Sequence, residues 1–96
     1  MNLATSYAVA TEWNLATLSE LCYLKSSSQS RIKRQTRICH DMLQVCQEYE
    51  SEIDFGNIPN RGNHTAPRVK YLLDRAKEEP EGLEGALLRW KRRQAK

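Results

Sequence analysis

Residues 30 to 53 are the stretch that most restricts what this chain can fold into. Ile32, Cys39, Met42, Leu43, Cys46, Tyr49 and Ile53 recur mostly at separations of three, four and seven, which gathers them on one face of a helix. Neither Gly nor Pro interrupts the run. Ser26, Ser27, Ser28, Gln29 and Ser30 precede it and offer an N-cap, while Gly56 and Pro59 close it off. The spacing predicts one long amphipathic helix over about 30–53. Its apolar stripe cannot stay in water, so shorter helices must supply a groove for it.

The charges of this helix run against its dipole. Arg31, Lys33, Arg34 and Arg37 crowd the first turns, and Asp41, Glu48, Glu50 and Glu52 follow, with Asp54 just beyond. A helix favours acid at its N-terminus and base at its C-terminus, each worth about 0.3–1 kcal/mol. One reading is a solvated face whose charges segregate by chance, since surface charge contributes little to stability. The other is a molecule with a positive and a negative end, suited to charged partners or to copies of itself.

The remaining sequence supplies the groove. Thr11 is an N-cap candidate with Glu12 behind it, and Leu15, Leu18, Leu21, Cys22 and Leu24 form a stripe, which predicts a helix over about 12–25. Trp13 and Tyr23 flank that stripe. Residues 1–10 are small and weakly patterned, an arm or an extra helical turn or two. Residues 54–64 are dense in turn residues yet keep Phe55 and Ile58, the mark of an ordered connection anchored by two apolar side chains, with room for a short helical turn. Thr65 and Pro67 open a further helix with Val69, Leu72, Leu73 and Ala76 inside. Glu78, Glu79, Pro80, Glu81 and Gly82 break it, and those acids read as solvation of helix ends. A last helix starts near Pro80 or Glu81, buries Leu83, Ala86, Leu87 and Trp90, and ends in Arg89, Lys91, Arg92, Arg93 and Lys96. The expectation is a single all-α domain over 1–96, a compact bundle of four to six helices around one long central helix.

The function classes narrow by elimination. At 96 residues, 40% hydrophobic and 28% charged, the chain has enough material for one modest core. A net charge of +3 is too mild to demand nucleic acid. No apolar run approaches a membrane span, and the N-terminus lacks a signal pattern. The three cysteines, Cys22, Cys39 and Cys46, are odd in number and lack a framework spacing, which points to free thiols and a reducing, cytoplasmic home. Asn63-His64-Thr65 matches a glycosylation acceptor by chance on that reading. Cys39 and His40 are adjacent and point about 100° apart on a helix, so they do not form a nucleophile–base pair. Cys39 and Cys46 lie two turns apart, roughly 10 Å by helix rise, too far to chelate one metal together. His64 reaches Cys22 or His40 only if the fold happens to bring them together. No catalytic constellation, metal site or cofactor is expected.

At Ile53-Asp54-Phe55-Gly56-Asn57-Ile58-Pro59, and again at Ala66-Pro67-Arg68-Val69-Lys70-Tyr71-Leu72, the chain resembles the bacterial effector-associated domains, small helical adaptors similar to the death-fold superfamily. The resemblance covers roughly residues 39–96, including a leucine-rich last helix from Leu83 to Trp90. Asn60 stands where that family has glycine after the proline, Pro67 enters the helix start, and the serine-rich loop has no counterpart. The resemblance implies homotypic assembly in bacterial defence, like domains on a sensor and an effector binding through charged faces.

Three functions follow as expectations. The first is a non-catalytic adaptor that binds a protein partner, a like domain or itself, through a positive end (Arg31, Lys33, Arg34, Arg37) and a negative end (Glu48, Glu50, Glu52, Asp54). The second is a small helical nucleic-acid-binding regulator using Arg31, Lys33, Arg34 and Arg37 with Arg89, Lys91, Arg92 and Arg93, against which stands phosphate repulsion by the acids from Asp41 to Asp54. The third is a phage- or plasmid-type inhibitor that docks on a host protein.

Overall fold

The computed structural model describes residues 1–59 and 66–95. The expectations placed on Asn60, on Thr65 as a cap, on Asn63-His64-Thr65 and on Lys96 fall outside the described residues. Four α-helices carry the fold: α1 (Leu3–Tyr23), α2 (Gln29–Glu48), α3 (Arg68–Ala76) and α4 (Gly82–Gln94). Two 3-10 turns, Glu50–Glu52 and Phe55–Asn57, lie between α2 and α3. Among the described residues there is no strand, and no helix is long and apolar enough to cross a membrane. The Cα radius of gyration of 12.8 Å matches the roughly 12–13 Å of a compact chain this long.

The longest helix is α1, not the 30–53 stretch. Residues 3–10 belong to it rather than to an arm. Asn2 is its N-cap, accepting from the Thr5 backbone N–H at 2.8 Å, and nothing between Asn2 and Tyr23 breaks a helix. Thr11, expected as a cap, sits mid-helix instead and donates its hydroxyl to the Tyr7 carbonyl at 2.9 Å. The inner side of α1 carries Ala8, Leu15 and Leu18 but also Thr5, Thr11 and Glu12, all buried. Its apolar periodicity is therefore weak, although the helix packs chiefly on α2 and also on α3 and α4.

The predicted 30–53 helix is shorter than its periodicity suggests. Ser28 caps α2 by accepting from the Arg31 N–H at 3.2 Å, as the serine-rich loop led one to expect. The helix stops at Glu48, and Tyr49 is left 49% exposed. Continuing it would stack Glu48, Glu50 and Glu52 on the negative end of one dipole. The 3-10 turn lets the chain meet the start of α1 instead. There the Asp54 N–H donates to the Thr5 hydroxyl at 2.9 Å, and the Asn2 side-chain amide donates to the Glu52 carbonyl at 2.7 Å. Ile53 is then buried from the new direction.

Asp54 folds the next turn by accepting from the Gly56 N–H at 3.2 Å and the Asn57 side-chain amide at 2.6 Å. Ile58 is buried and Phe55 half-buried with Lys70 Nζ 5.3 Å from its ring centre, so the loop is anchored by the two residues predicted for that role. Leu43, Cys46, Leu72 and Leu87 share one core with Leu15, Leu18, Val69 and Trp90.

The start of α3 has no side-chain cap from its own neighbours, and Pro67 sits at the N-cap position. Glu12 fills that role from α1. Its carboxylate accepts from the Arg68 N–H at 3.0 Å, the Val69 N–H at 2.9 Å and the Arg68 guanidinium at 3.1 Å. The α4 helix begins at Gly82, whose φ of +61° is the left-handed conformation glycine tolerates without strain. Glu79, read from sequence as solvation, is instead mostly buried between Arg75 at 3.7 Å and Arg89 at 3.1 Å, tying α3 to α4.

Candidate functional site

Which charges remain free after folding decides what the surface offers. Helices α1 and α2 run antiparallel, with Gln35 donating to the Asn14 carbonyl at 3.0 Å and Thr11 against Cys46 Sγ at 3.4 Å. Helices α2 and α4 are antiparallel as well. Lys91, late in α4, donates to the Thr36 hydroxyl in the first half of α2 at 3.1 Å, and Glu84, early in α4, lines a groove with Asp41 and Gln44 of the second half of α2. This topology brings the end of α4 beside the first half of α2, and the start of α4 beside the second half.

At the positive end, Arg31, Lys33 and Arg34 are exposed and make no ion pair among the described residues. Arg37 approaches Asp41 at 3.6 Å, but the side chains are 81% and 59% exposed, a pair worth about 0.3–0.5 kcal/mol at most. Lys91 joins this end through Thr36. The rest of the C-terminal basic run lies elsewhere on α4. Arg89 turns to Glu79, Arg93 donates to the Tyr71 hydroxyl at 2.7 Å, and Arg92 is exposed. At about 100° per residue Arg89, Arg92 and Arg93 share one side of α4 and Lys91 points away from them, while Glu79 and Tyr71 engage Arg89 and Arg93.

At the negative end the expected set also divides. Glu48 and Glu52 are exposed and unpaired among the described residues. Glu50 is held by Lys77, and both carboxylate oxygens of Asp54 are engaged in the local turn. Arg34 and Glu48 are fourteen residues apart on one helix, roughly 21 Å by helix rise.

Between α2 and α4 lies an open groove of about 470 Å³. Lys33, Arg37 and Lys91 line one part and Asp41 and Glu84 the other, with His40, Leu87 and Leu88 between. Its charge sequence repeats that of α2. Sequence reasoning missed three features here: the Glu12 cap, the Lys91–Thr36 contact, and the exposure of Ile38, 38% open to solvent on the outer side of α2. The first joins residues more than fifty apart, which no local pattern records.

The cysteines are positioned as core residues. Burial pushes the Cys39 thiol up to about 12 from an ordinary 9.0, against the hydrogen bond from Gln35, and burial also raises Cys46 and Cys22. Such thiols are held neutral, hence poor nucleophiles and metal ligands. Among the described residues no group of His, Cys, Asp and Glu is arranged to hold a metal ion.

A pH dependence follows. Folding favours the protonated Cys39 thiol, so its contribution is complete below pH 9 and is lost as pH climbs from 9 toward 12. Urea melts are expected to show about 1 kcal/mol less stability at pH 10 than at pH 8. Unchanged stability over that interval would mean Cys39 is not buried as described.

Comparison with family models, with characterised proteins and with solved structures finds no match for this chain.

Proposed function

We propose that this domain is a non-catalytic interaction module that binds a protein partner, a like domain or itself, through oppositely charged faces at the two ends of α2. One observation carries the reading. Folding uses Glu12, Glu50, Asp54, Glu79, Arg68 and Arg89 in internal contacts, yet among the described residues it leaves Arg31, Lys33 and Arg34 exposed without an ion pair at one end and Glu48 and Glu52 at the other. Arg31 in the first turn of α2 and Glu48 at its last residue oppose the dipole of that helix, so helix stability does not account for their place. Complementary charge across an interface speeds encounter and fixes orientation. The resemblance to effector-associated domains supports a like domain as the partner, and the free thiols support a reducing setting such as the cytoplasm.

A second reading, nucleic-acid binding, is favoured by the approach of Lys91 to Lys33 and Arg37 across the groove, which concentrates cations from two helices. The variant Glu48→Lys/Glu52→Lys separates the two. Both residues are exposed, so circular dichroism and melting are expected to match wild type. For an interaction module, association measured by sedimentation falls. For a nucleic-acid binder, anisotropy titrations on DNA and RNA show tighter binding with a steeper salt dependence. Tighter nucleic-acid binding with protein association absent or unchanged sinks the interaction reading.

A further inference from the structure

We propose that two copies of this chain pair antiparallel along the outer side of α2, about a two-fold axis, as a closed dimer. This rests on the interaction reading above and gives it a partner and a geometry.

Helix α2 turns Cys39, Leu43 and Cys46 into the core. On the opposite side Arg34, Ile38, Asp41, Val45 and Glu48 follow one another at separations of four, three, four and three. At 100° per residue they fall within a stripe about 80° wide. A step alternating between three and four is the seam of a coiled coil. Arg34, Asp41 and Glu48 are exposed, Ile38 is 38% exposed, and Val45 is only partly covered. The solvent side of α2 therefore carries two β-branched apolar residues seven apart, with base before them and acid after.

That gradient fits itself in one direction only. Parallel pairing would set Arg34 beside Arg34 and Glu48 beside Glu48. Antiparallel pairing centred between Asp41 and Met42 sets Ile38 against the partner's Val45 and brings Arg34 within one residue of the partner's Glu48. The Asp41 carboxylates come nearest the axis, and each is already attended by Arg37 of its own chain at 3.6 Å.

The same arrangement accounts for the reversed dipole. The cations at the start of α2 then lie beside the C-terminal end of the partner helix, where positive charge is favoured, and the acids lie beside its N-terminal end. Charges misplaced for their own helix are correctly placed for a second one running the other way. End-to-end stacking of copies would satisfy the charges but leave Ile38 and Val45 in water.

One helix seam buries little area, below the roughly 1,200 Å² of standard interfaces, so the dimer is weak and salt-sensitive. Its two-fold symmetry makes the test direct. Residue 41 lies beside the axis, so Asp41→Cys is expected to form a disulfide-linked dimer under mild oxidation. Residue 31 lies roughly 30 Å from its symmetry mate by helix rise, so Arg31→Cys is expected not to. Native Cys39 and Cys46 are buried and set a common background with Cys22. In sedimentation equilibrium the mass should level off at two chains. Ile38→Glu should weaken the dimer at least about tenfold, a change of about 1.4 kcal/mol. Arg34→Glu and Glu48→Arg should each weaken it, and the double variant should restore it.

Cross-linking at position 31 equal to that at 41 overturns the register. Mass that keeps growing with concentration overturns the two-fold geometry while leaving the interaction reading standing. A chain monomeric at every concentration and ionic strength overturns the dimer, and if it also binds nucleic acid more tightly once Glu48 and Glu52 are reversed, the interaction reading falls with it.

Discussion

Glu12→Ala is expected to lower unfolding stability by about 2–4 kcal/mol, a large share for a domain this small. The Glu12 carboxylate is buried, with 5% of the residue exposed, and among the described residues it is the only side chain capping α3. Three bonds end on it: two from the first backbone N–H groups of α3 and one from the Arg68 guanidinium. Alanine would leave the Val69 N–H buried without a partner, and leaving a buried donor unmade costs more than making the bond gains. It would also leave the partly exposed Arg68 without its anion. Glu12→Gln keeps the shape and one acceptor, so its loss should be smaller. Urea melts give the stabilities, and hydrogen exchange at Arg68 and Val69 should quicken most in the alanine variant. A loss below about 1 kcal/mol would mean α3 is capped by something else.

Leu72→Ala should cost a further ~2–5 kcal/mol by itself. Leu72 is fully buried in the α3 face that packs with Leu43, Cys46 and Leu87. Deleting its side chain removes apolar contact and leaves a cavity that a nine-residue helix, fixed at its start by Glu12, is poorly placed to fill. A urea melt showing less than about 1 kcal/mol lost would contradict the burial of that face.

The two variants mark how far the sequence could be read. Leu72 was legible because α3 and α4 are strongly amphipathic, and a 3.6-residue period identifies their inner faces without tertiary knowledge. Glu12 was not. Its function depends on the first backbone N–H groups of a helix more than fifty residues away, and no local pattern records that. The same blindness hid the extent of α1. A helix buried on several sides through Thr5, Thr11 and Glu12 loses the apolar contrast by which periodicity is recognised. In α2 the error ran the other way. Ile53 continues the apolar period of the helix, but the chain turns at Tyr49 because Thr5 and Asn2 draw residues 52–54 toward α1.

The charged ends were legible as residues and not as surfaces. Arg31, Lys33, Arg34, Glu48 and Glu52 remain available, whereas Glu50, Asp54, Arg89 and Arg93 are drawn into the fold by partners distant in sequence or by the local turn. Sequence shows which residues carry charge. Only packing shows which of those charges still face outward.

The charge-paired self-association of the chain is tested most directly by sedimentation equilibrium of the wild-type protein, first at low ionic strength and then near 1 M salt. At about 1 M the screening length falls to about 3 Å, and contacts between exposed charges are silenced while the buried core is left intact. The expected result is an average mass above one chain at low salt, rising with concentration toward two, and a return to one chain at high salt with unchanged helicity. A mass of one chain under both conditions, at concentrations approaching millimolar, would contradict it.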